Sequence, residues 1–74
     1  MILAMRSLTT ANQIIDELGG TTVVSKWLDI SAQSVSEWRS NGAISPRFYL
    51  MMLRALHERG CIASPELWKI KTAA

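Results

Sequence analysis

The sequence lacks features that would mark a secreted or a membrane protein. Cys61 is its one cysteine, so no disulfide can form within the chain, as is typical of proteins in a reducing cytoplasm. No apolar run approaches the roughly 20 residues of a membrane-spanning helix. The apolar start, MILAMRSL, is too short for the core of a signal peptide. We therefore expect a cytoplasmic protein with no membrane partner.

Features of catalytic and metal sites are also scarce. His57 is the one histidine and lies four positions before Cys61, so a single chain cannot complete a zinc ligand set from them. No nucleophile is paired with a base, and no two carboxylates have a spacing that suggests acid–base catalysis. We therefore expect no enzymatic activity, no metal, no cofactor and no small-molecule substrate.

The residues that are present describe one small folded domain, residues 1–74. About half of them (49%) are apolar, which argues against intrinsic disorder. A chain of this length buries only about 60% of the surface that its unfolded form exposes, so its packing must be economical. The formal net charge of +2 permits an acidic partner such as nucleic acid without requiring one.

Capping residues and helical spacing predict three helices in the first half of the chain. Thr10 precedes Gln13 by the interval of a capping box, and Gly19 is placed to end the first helix. The second helix is expected over TTVVSKWLD, residues 21–29. Ser31 caps a third helix that runs to about Ser40, before the Asn-Gly pair at 41–42.

Two further helices are predicted by a shared start signal. Ser45-Pro46 and Ser64-Pro65 each place a capping residue before a proline, which suits the first helical position. The fourth helix is expected over about 46–59 and the fifth over about 65–70. No segment shows sustained strand alternation, so we expect an all-α, compact five-helix domain. The first eight residues are either a frayed tail or a short strand.

The second and third helices are separated only by DIS, residues 29–31, a link short enough for a helix-turn-helix. Ser25 is small enough for a close helix crossing, and Asp29 tolerates the left-handed backbone that such a turn requires. Trp27 and Trp38 have the spacing of core residues, so we expect them to pack and not to stack on bases. The apolar residues that would fix both helices to the core are Val24, Leu28, Ile30, Val35 and Trp38.

Residues 20–42, GTTVVSKWLDISAQSVSEWRSNG, resemble the helix-turn-helix of phage Cro proteins and related YdaS-type regulators. The resemblance extends loosely through ISPRFYLMMLRALHERG and covers about two-thirds of the chain. Its most specific parts are GG-T before the apolar pattern and SxWRxxG at its end. It implies a lambda-repressor-like, Cro-like fold with the motif at about 21–40. It also implies a phage or prophage repressor that acts in a bacterial cell and binds operator double-stranded DNA as a homodimer.

The resemblance assigns DNA contacts to individual positions. In that family the second helix of the motif lies in the major groove, and its first residues reach base edges. Glutamine can bond adenine in a bidentate way, serine can donate or accept, and alanine can touch a thymine methyl. The implied base contacts are Ser31, Ala32, Gln33 and Ser36. The implied phosphate contacts are Thr21, Thr22, Lys26, Arg39 and Arg47.

Two positions depart from the family's pattern. Asp29 stands where the family prefers glycine, at some cost to the turn. Glu37 lies on or beside the DNA-facing side, where negative charge is unfavourable. Its carboxylate either accepts from a cytosine amino group or, as we favour, turns aside to pair with a nearby cation.

The fourth helix is apolar on nearly all sides, whereas a helix of a small monomer should show one stripe. One stripe, expected in the core, is Tyr49, Met52, Leu53 and Leu56. A second stripe is Phe48, Met51 and Ala55. Either the first and fifth helices cover it or, as we favour, it joins Trp68 in a dimer interface. A dimer would read two half-sites about 34 Å apart.

Two other functions remain compatible with these residues. A protein-binding module, such as an antitoxin or an anti-repressor, could keep the fold without contacting DNA; Glu37 and the modest net charge favour it. A transcription activator could carry the same motif. The salt dependence of binding distinguishes a protein-binding module from a DNA-binding protein, because binding to several phosphates weakens steeply with added salt.

Overall fold

The computed structural model describes residues 5–70. In them, four α-helices pack around one hydrophobic core. They are α1 (Ala11–Glu17), α2 (Thr21–Leu28), α3 (Ala32–Asn41) and α4 (Tyr49–Glu58). The predicted helical character is confirmed, with four α-helices in place of five. Within the described part of the chain, none of them has the length and apolarity needed to cross a bilayer.

The starts of α1 and α3 and the end of α3 lie where the capping residues predicted them. The Thr10 hydroxyl accepts from the Gln13 amide at 3.1 Å, and the Gln13 side chain accepts from the Thr10 amide at 3.3 Å, which completes the capping box. Ser31 caps α3, and Gly42 ends it in the left-handed conformation (φ 73°). These signals act over three or four residues, so the sequence alone is enough to place them.

The predicted fifth helix is wrong, because Pro65–Trp68 forms only a short 3₁₀ helix. Ser64 caps it as expected, but Lys69 adopts a left-handed conformation (φ 58°) that stops it after one turn. The Ile44 amide donates to the Leu67 carbonyl at 2.7 Å and ties this turn to the chain before α4. The predicted fourth helix likewise opens with a 3₁₀ turn, Pro46–Phe48, before α4 begins at Tyr49.

Two short strands join the ends of the described chain, and the sequence did not predict their pairing. β1 (Arg6–Leu8) pairs in parallel with β2 (Cys61–Ala63), with Ser7 opposite Ile62. The first eight residues were expected to be either a frayed tail or a short strand, and residues 6–8 form a strand. Residues 1–4 lie outside the described residues. The Arg6 guanidinium bonds the Glu17 carboxylate and the Cys61 sulfur, and these contacts raise the Arg6 pKa above its ordinary value.

Trp68 lies at the centre of the core and is fully buried. Its ring packs edge-on against Tyr49, with centroids 5.0 Å apart, and its indole N–H donates to the Met52 sulfur at 3.4 Å. Phe48 is also buried, with its ring 5.8 Å from that of Trp38. The assignment of Phe48 and Trp68 to a dimer surface is therefore wrong, because both fill the interior of the protomer.

The two remaining tryptophans differ in their burial. Trp38 is half-buried against the core, as expected, and Val24, Leu28 and Val35 are buried beside it. Trp27 was expected in the core, but 41% of its surface is exposed. It lies on α2 one position before the buried Leu28, on a side of the helix that nothing in residues 5–70 fully covers.

Candidate nucleic-acid interface

The link between α2 and α3 is a tight turn with a defined backbone path. Asp29 adopts the left-handed conformation (φ 57°, ψ 48°). The Ile30 amide donates to the Ser25 carbonyl at 3.0 Å, and the Asp29 amide donates to the Lys26 carbonyl at 3.3 Å, the pattern of a Schellman motif. Ser25 is buried, and its hydroxyl is satisfied by the Thr22 carbonyl at 2.9 Å. Both residues therefore have the geometry that the sequence predicted for them.

One side of α3 is exposed and almost uncharged. Ala32, Ser36 and Ser40 follow each other at intervals of four, so they form one row along the helix. Gln33 and Glu37 form the neighbouring row, and all five side chains are exposed. The opposite side of the helix is fixed to the core. The exposed rows of α3 therefore offer hydrogen-bonding and methyl groups with a single charge, Glu37.

Ser31 belongs to the start of α3 as its cap. Its hydroxyl accepts from the Ser34 amide at 3.2 Å and lies 3.0 Å from the Ser34 hydroxyl. The predicted base contact would compete with this capping role, because the same oxygen serves both. Ser31 thus fixes the first turn of α3, where Ala32 and Gln33 are exposed.

The start of α2 has no capping side chain. Its N-cap is Gly20, whose backbone (φ 99°, ψ 175°) lies in a region that essentially only glycine adopts. The first-turn amides, with the exposed Thr22 hydroxyl beside them, can therefore donate to an anion. Gly19 precedes it at φ 116°, and a Cβ there would lie 2.8 Å from a Val23 methyl. Any other residue at either position would therefore strain the backbone where α2 starts.

Arg39 forms a network that sequence reasoning missed. Its Nε donates to the Thr21 hydroxyl at 2.9 Å, one terminal nitrogen donates to Asn12 Oδ1 at 3.2 Å, and the other to Asp16 Oδ1 at 2.6 Å. These bonds tie α3 to α1 and α2, and Asp16 balances the guanidinium charge. Arg39 is thus placed as a positioning residue, since all three nitrogens are already bonded. Asn12 and Asp16 lie one helical turn apart on α1, and this spacing was the only local sign in the sequence that the two side chains could share a partner.

Replacement of Arg39 by alanine is expected to lower the free energy of unfolding by about 1–2 kcal/mol. Three hydrogen bonds are lost, but Asp16 stays largely in water, which limits the cost. Urea denaturation followed by circular dichroism measures the change. Lys26→Ala is the control: Lys26 is exposed on α2 and forms no ion pair in residues 5–70. Equal stability of the two variants would contradict a positioning role.

Two of the predicted phosphate-binding cations are free to reach a partner. Lys26 is exposed on α2, one turn after Thr22. Arg47 is exposed, with its guanidinium carbon 4.9 Å from the centre of the Phe48 ring. Neither forms an ion pair with another side chain in the described part of the structure. Of the predicted phosphate contacts, Lys26 and Arg47 are therefore the cations that remain free to bind a phosphate.

Residues 5–70 do not supply the cation partner that was favoured for Glu37. Lys69 lines the same hollow as Glu37, together with Asn41 and Ser45. However, no ion pair joins the Glu37 carboxylate to any cation among residues 5–70. Glu37 is exposed beside Gln33 on α3, so its carboxylate is available as an acceptor.

The pair His57 and Cys61 does not form a site. His57 is exposed near the end of α4, whereas Cys61 is buried at the start of β2. Across residues 5–70, no three side chains of His, Cys, Asp and Glu are grouped so that they could hold a metal ion.

Of the predicted dimer residues, Met51 (47% exposed) and the half-buried Ala55 lie at the surface.

No protein-family model, curated protein or solved structure matches this chain. The case for a function therefore depends on the geometry of α2 and α3 and on the chemistry of the side chains that they expose.

Proposed function

We propose that the chain is a sequence-specific DNA-binding regulator in which α2 and α3 act as a helix-turn-helix. It binds operator DNA as a homodimer, in the manner of a Cro-like phage or prophage repressor. The observation that carries this proposal is the exposed, nearly uncharged side of α3, which is joined to α2 by a three-residue turn. Repression requires no catalysis, because occupying a promoter is sufficient.

The two helices divide the recognition between them. Base edges are read by short hydrogen-bonding and methyl groups, which are the groups that Ala32, Gln33 and Ser36 expose on α3. Phosphates are bound by amides and cations, which the uncapped start of α2, Lys26 and Arg47 supply. Arg39 holds the two helices in one arrangement, so that both kinds of contact are made together.

The free cations set the expected salt dependence. If Lys26 and Arg47 each contact one phosphate, a dimer neutralises four phosphates. Since each neutralised phosphate contributes about −0.9, the slope of log K against log salt is about −4. A protein-binding module would show almost no slope.

Selection from random duplex DNA at about 150 mM salt, near physiological ionic strength, tests the proposal. The expected result is enrichment of an inverted repeat with half-sites about 34 Å apart, one helical turn. Folded protein that enriches no sequence would overturn it. A reporter promoter that carries the selected site then distinguishes a repressor from an activator.

A second function, protein binding without DNA contact, is favoured by one observation. Val23, Trp27 and Met51 expose large apolar surface on the sides of α2 and α4. An antitoxin or anti-repressor would use such a surface. Loss of selection together with tight, salt-insensitive binding to a protein partner would establish this function in place of the first.

A further inference from the structure

α2 exposes different chemistry on its two flanks. Thr22 and Lys26, one turn apart, form a polar flank, and Val23 and Trp27 form an apolar flank. The buried Ser25 marks the side of α2 that faces the interior and α3, since Thr21 on the same side bonds Arg39. At about 100° per residue, the polar flank lies next to this side and the apolar flank lies further round, towards α4.

The apolar flank of α2 continues onto α4. We call this surface the Trp27 face and define it by Val23, Trp27, Met51 and Ala55. Three of its side chains are large, apolar and 41–51% exposed, a concentration that a small soluble chain does not need for folding. Ala55 lies one turn after Met51 and is small, so a second helix can approach α4 closely there.

Trp27 stands between two hollows on this face. The first, of about 380 Å³, is lined by Leu18, Val23, Trp27, Ala55, Glu58 and Arg59. The second, of about 240 Å³, is lined by Trp27, Met51, Arg54, Ala55 and Glu58. The partly exposed Trp27 ring therefore lies directly beside two open, mainly apolar hollows.

We propose that a second copy of this chain covers the Trp27 face, with each Trp27 ring seated in a hollow of the other copy. A two-fold dimer uses the same surface on both subunits, so that surface must carry both a projection and its recess. Trp27 and the hollow beside it meet this requirement. Aromatic side chains that fill pockets are also the residues that contribute most to binding at protein interfaces.

The charges around the face also select a second copy. Arg54 and Glu58 line the second hollow, one turn apart on α4, and neither forms an ion pair within residues 5–70. A two-fold axis through this face brings each charge towards its opposite on the other copy. A partner that carries both signs of charge, as a second copy does, suits this pair better than a partner of a single sign.

This arrangement leaves α3 free. Because the Trp27 face lies on the flank of α2 turned away from α3, the second copy does not cover Gln33 or Ser36. The inference extends the homodimer of the proposed function by locating its interface, and it rests on that function in this respect alone. It is tested without DNA, so its failure is separate from failure of operator binding.

Met51→Glu is the variant that tests the interface, and Leu50→Glu is its matched control. Leu50 neighbours Met51 on α4 and is 71% exposed, but it lines neither hollow. In Met51→Glu, an apolar contact on each copy is replaced by a carboxylate that must leave water, and Arg54 beside it already faces the charge of Glu58, so we expect dimerisation to weaken about 100-fold or more. Leu50→Glu should dimerise like the unchanged protein. Sedimentation equilibrium measures association, and circular dichroism shows that both variants are folded.

Two results would overturn the proposal. One is an unchanged protein that stays monomeric up to about 500 µM, since the affinity would then be weaker than that of a functional dimer. The other is a folded Met51→Glu that dimerises as tightly as Leu50→Glu. A monomer that still selects single half-sites would contradict the proposed interface and support DNA recognition by α3. A dimer that selects no sequence would support the interface and contradict DNA recognition.

Discussion

Trp68→Ala is expected to lower the free energy of unfolding by about 3–5 kcal/mol, the range for a large aromatic removed from a core. Trp68 is fully buried, packs against Tyr49 and donates its N–H to Met52. Alanine would leave a cavity that the short 3₁₀ turn at 65–68 cannot close, because the Ile44–Leu67 hydrogen bond holds that turn in place. The loss is a large part of the stability of any chain of this size.

Trp27→Ala is the matched control, because it removes the same side chain from the surface. Urea denaturation of both variants, at concentrations where the protein is monomeric, gives the comparison. We expect Trp27→Ala to change the free energy of unfolding by less than about 1 kcal/mol. Equal losses in the two variants would show that Trp27 belongs to the core, and a stable Trp68→Ala would show that Trp68 does not.

The features that sequence reasoning predicted correctly are local ones. The capping box of Thr10 and Gln13, the cap at Ser31 and the left-handed Gly42 each depend on neighbours within a few residues. Asp29 at the α2–α3 turn is of the same kind, since its conformation follows from closing one helix before the next begins. The exposed row of α3 was also predictable, because helical spacing alone separates Ser36 from the buried Val35.

The features that sequence reasoning missed depend on partners that are distant in the chain. Val23 and Trp27 are spaced like Val24 and Leu28, one position earlier, so periodicity cannot tell which of the two rows packs into the core. β1 and β2 are only three residues each, too short for alternation to be recognised, and Arg6 pairs with Cys61 across most of the chain. Arg39 bonds Asn12 and Asp16 on another helix, and the spacing of those two residues on α1 does not reveal which cation they bind.

Gln33→Ala is expected to cost about 1–3 kcal/mol of binding free energy at each half-site of the selected operator, and to relax the preference at one base pair. Gln33 is exposed in the first turn of α3, where Ser31 caps the helix and so fixes its direction. The lost amide would leave the donor and acceptor of one base edge unpaired. Titrating the variant against the selected operator and its single-base substitutions measures both the affinity and the altered preference.

Lys26→Ala provides the contrast, because Lys26 is assigned to phosphate. Affinity for all sequences should fall by a similar factor, and the slope of log K against log salt should become shallower by about 2 for a dimer, since one cation is lost per chain. Gln33→Ala should leave that slope unchanged. Because Gln33 and Lys26 lie on different helices and neither is bonded to the core, a change in fold would not produce these separate signatures. If both variants changed the slope and the base preference in the same way, the division between a base-reading α3 and a phosphate-binding α2 would be refuted.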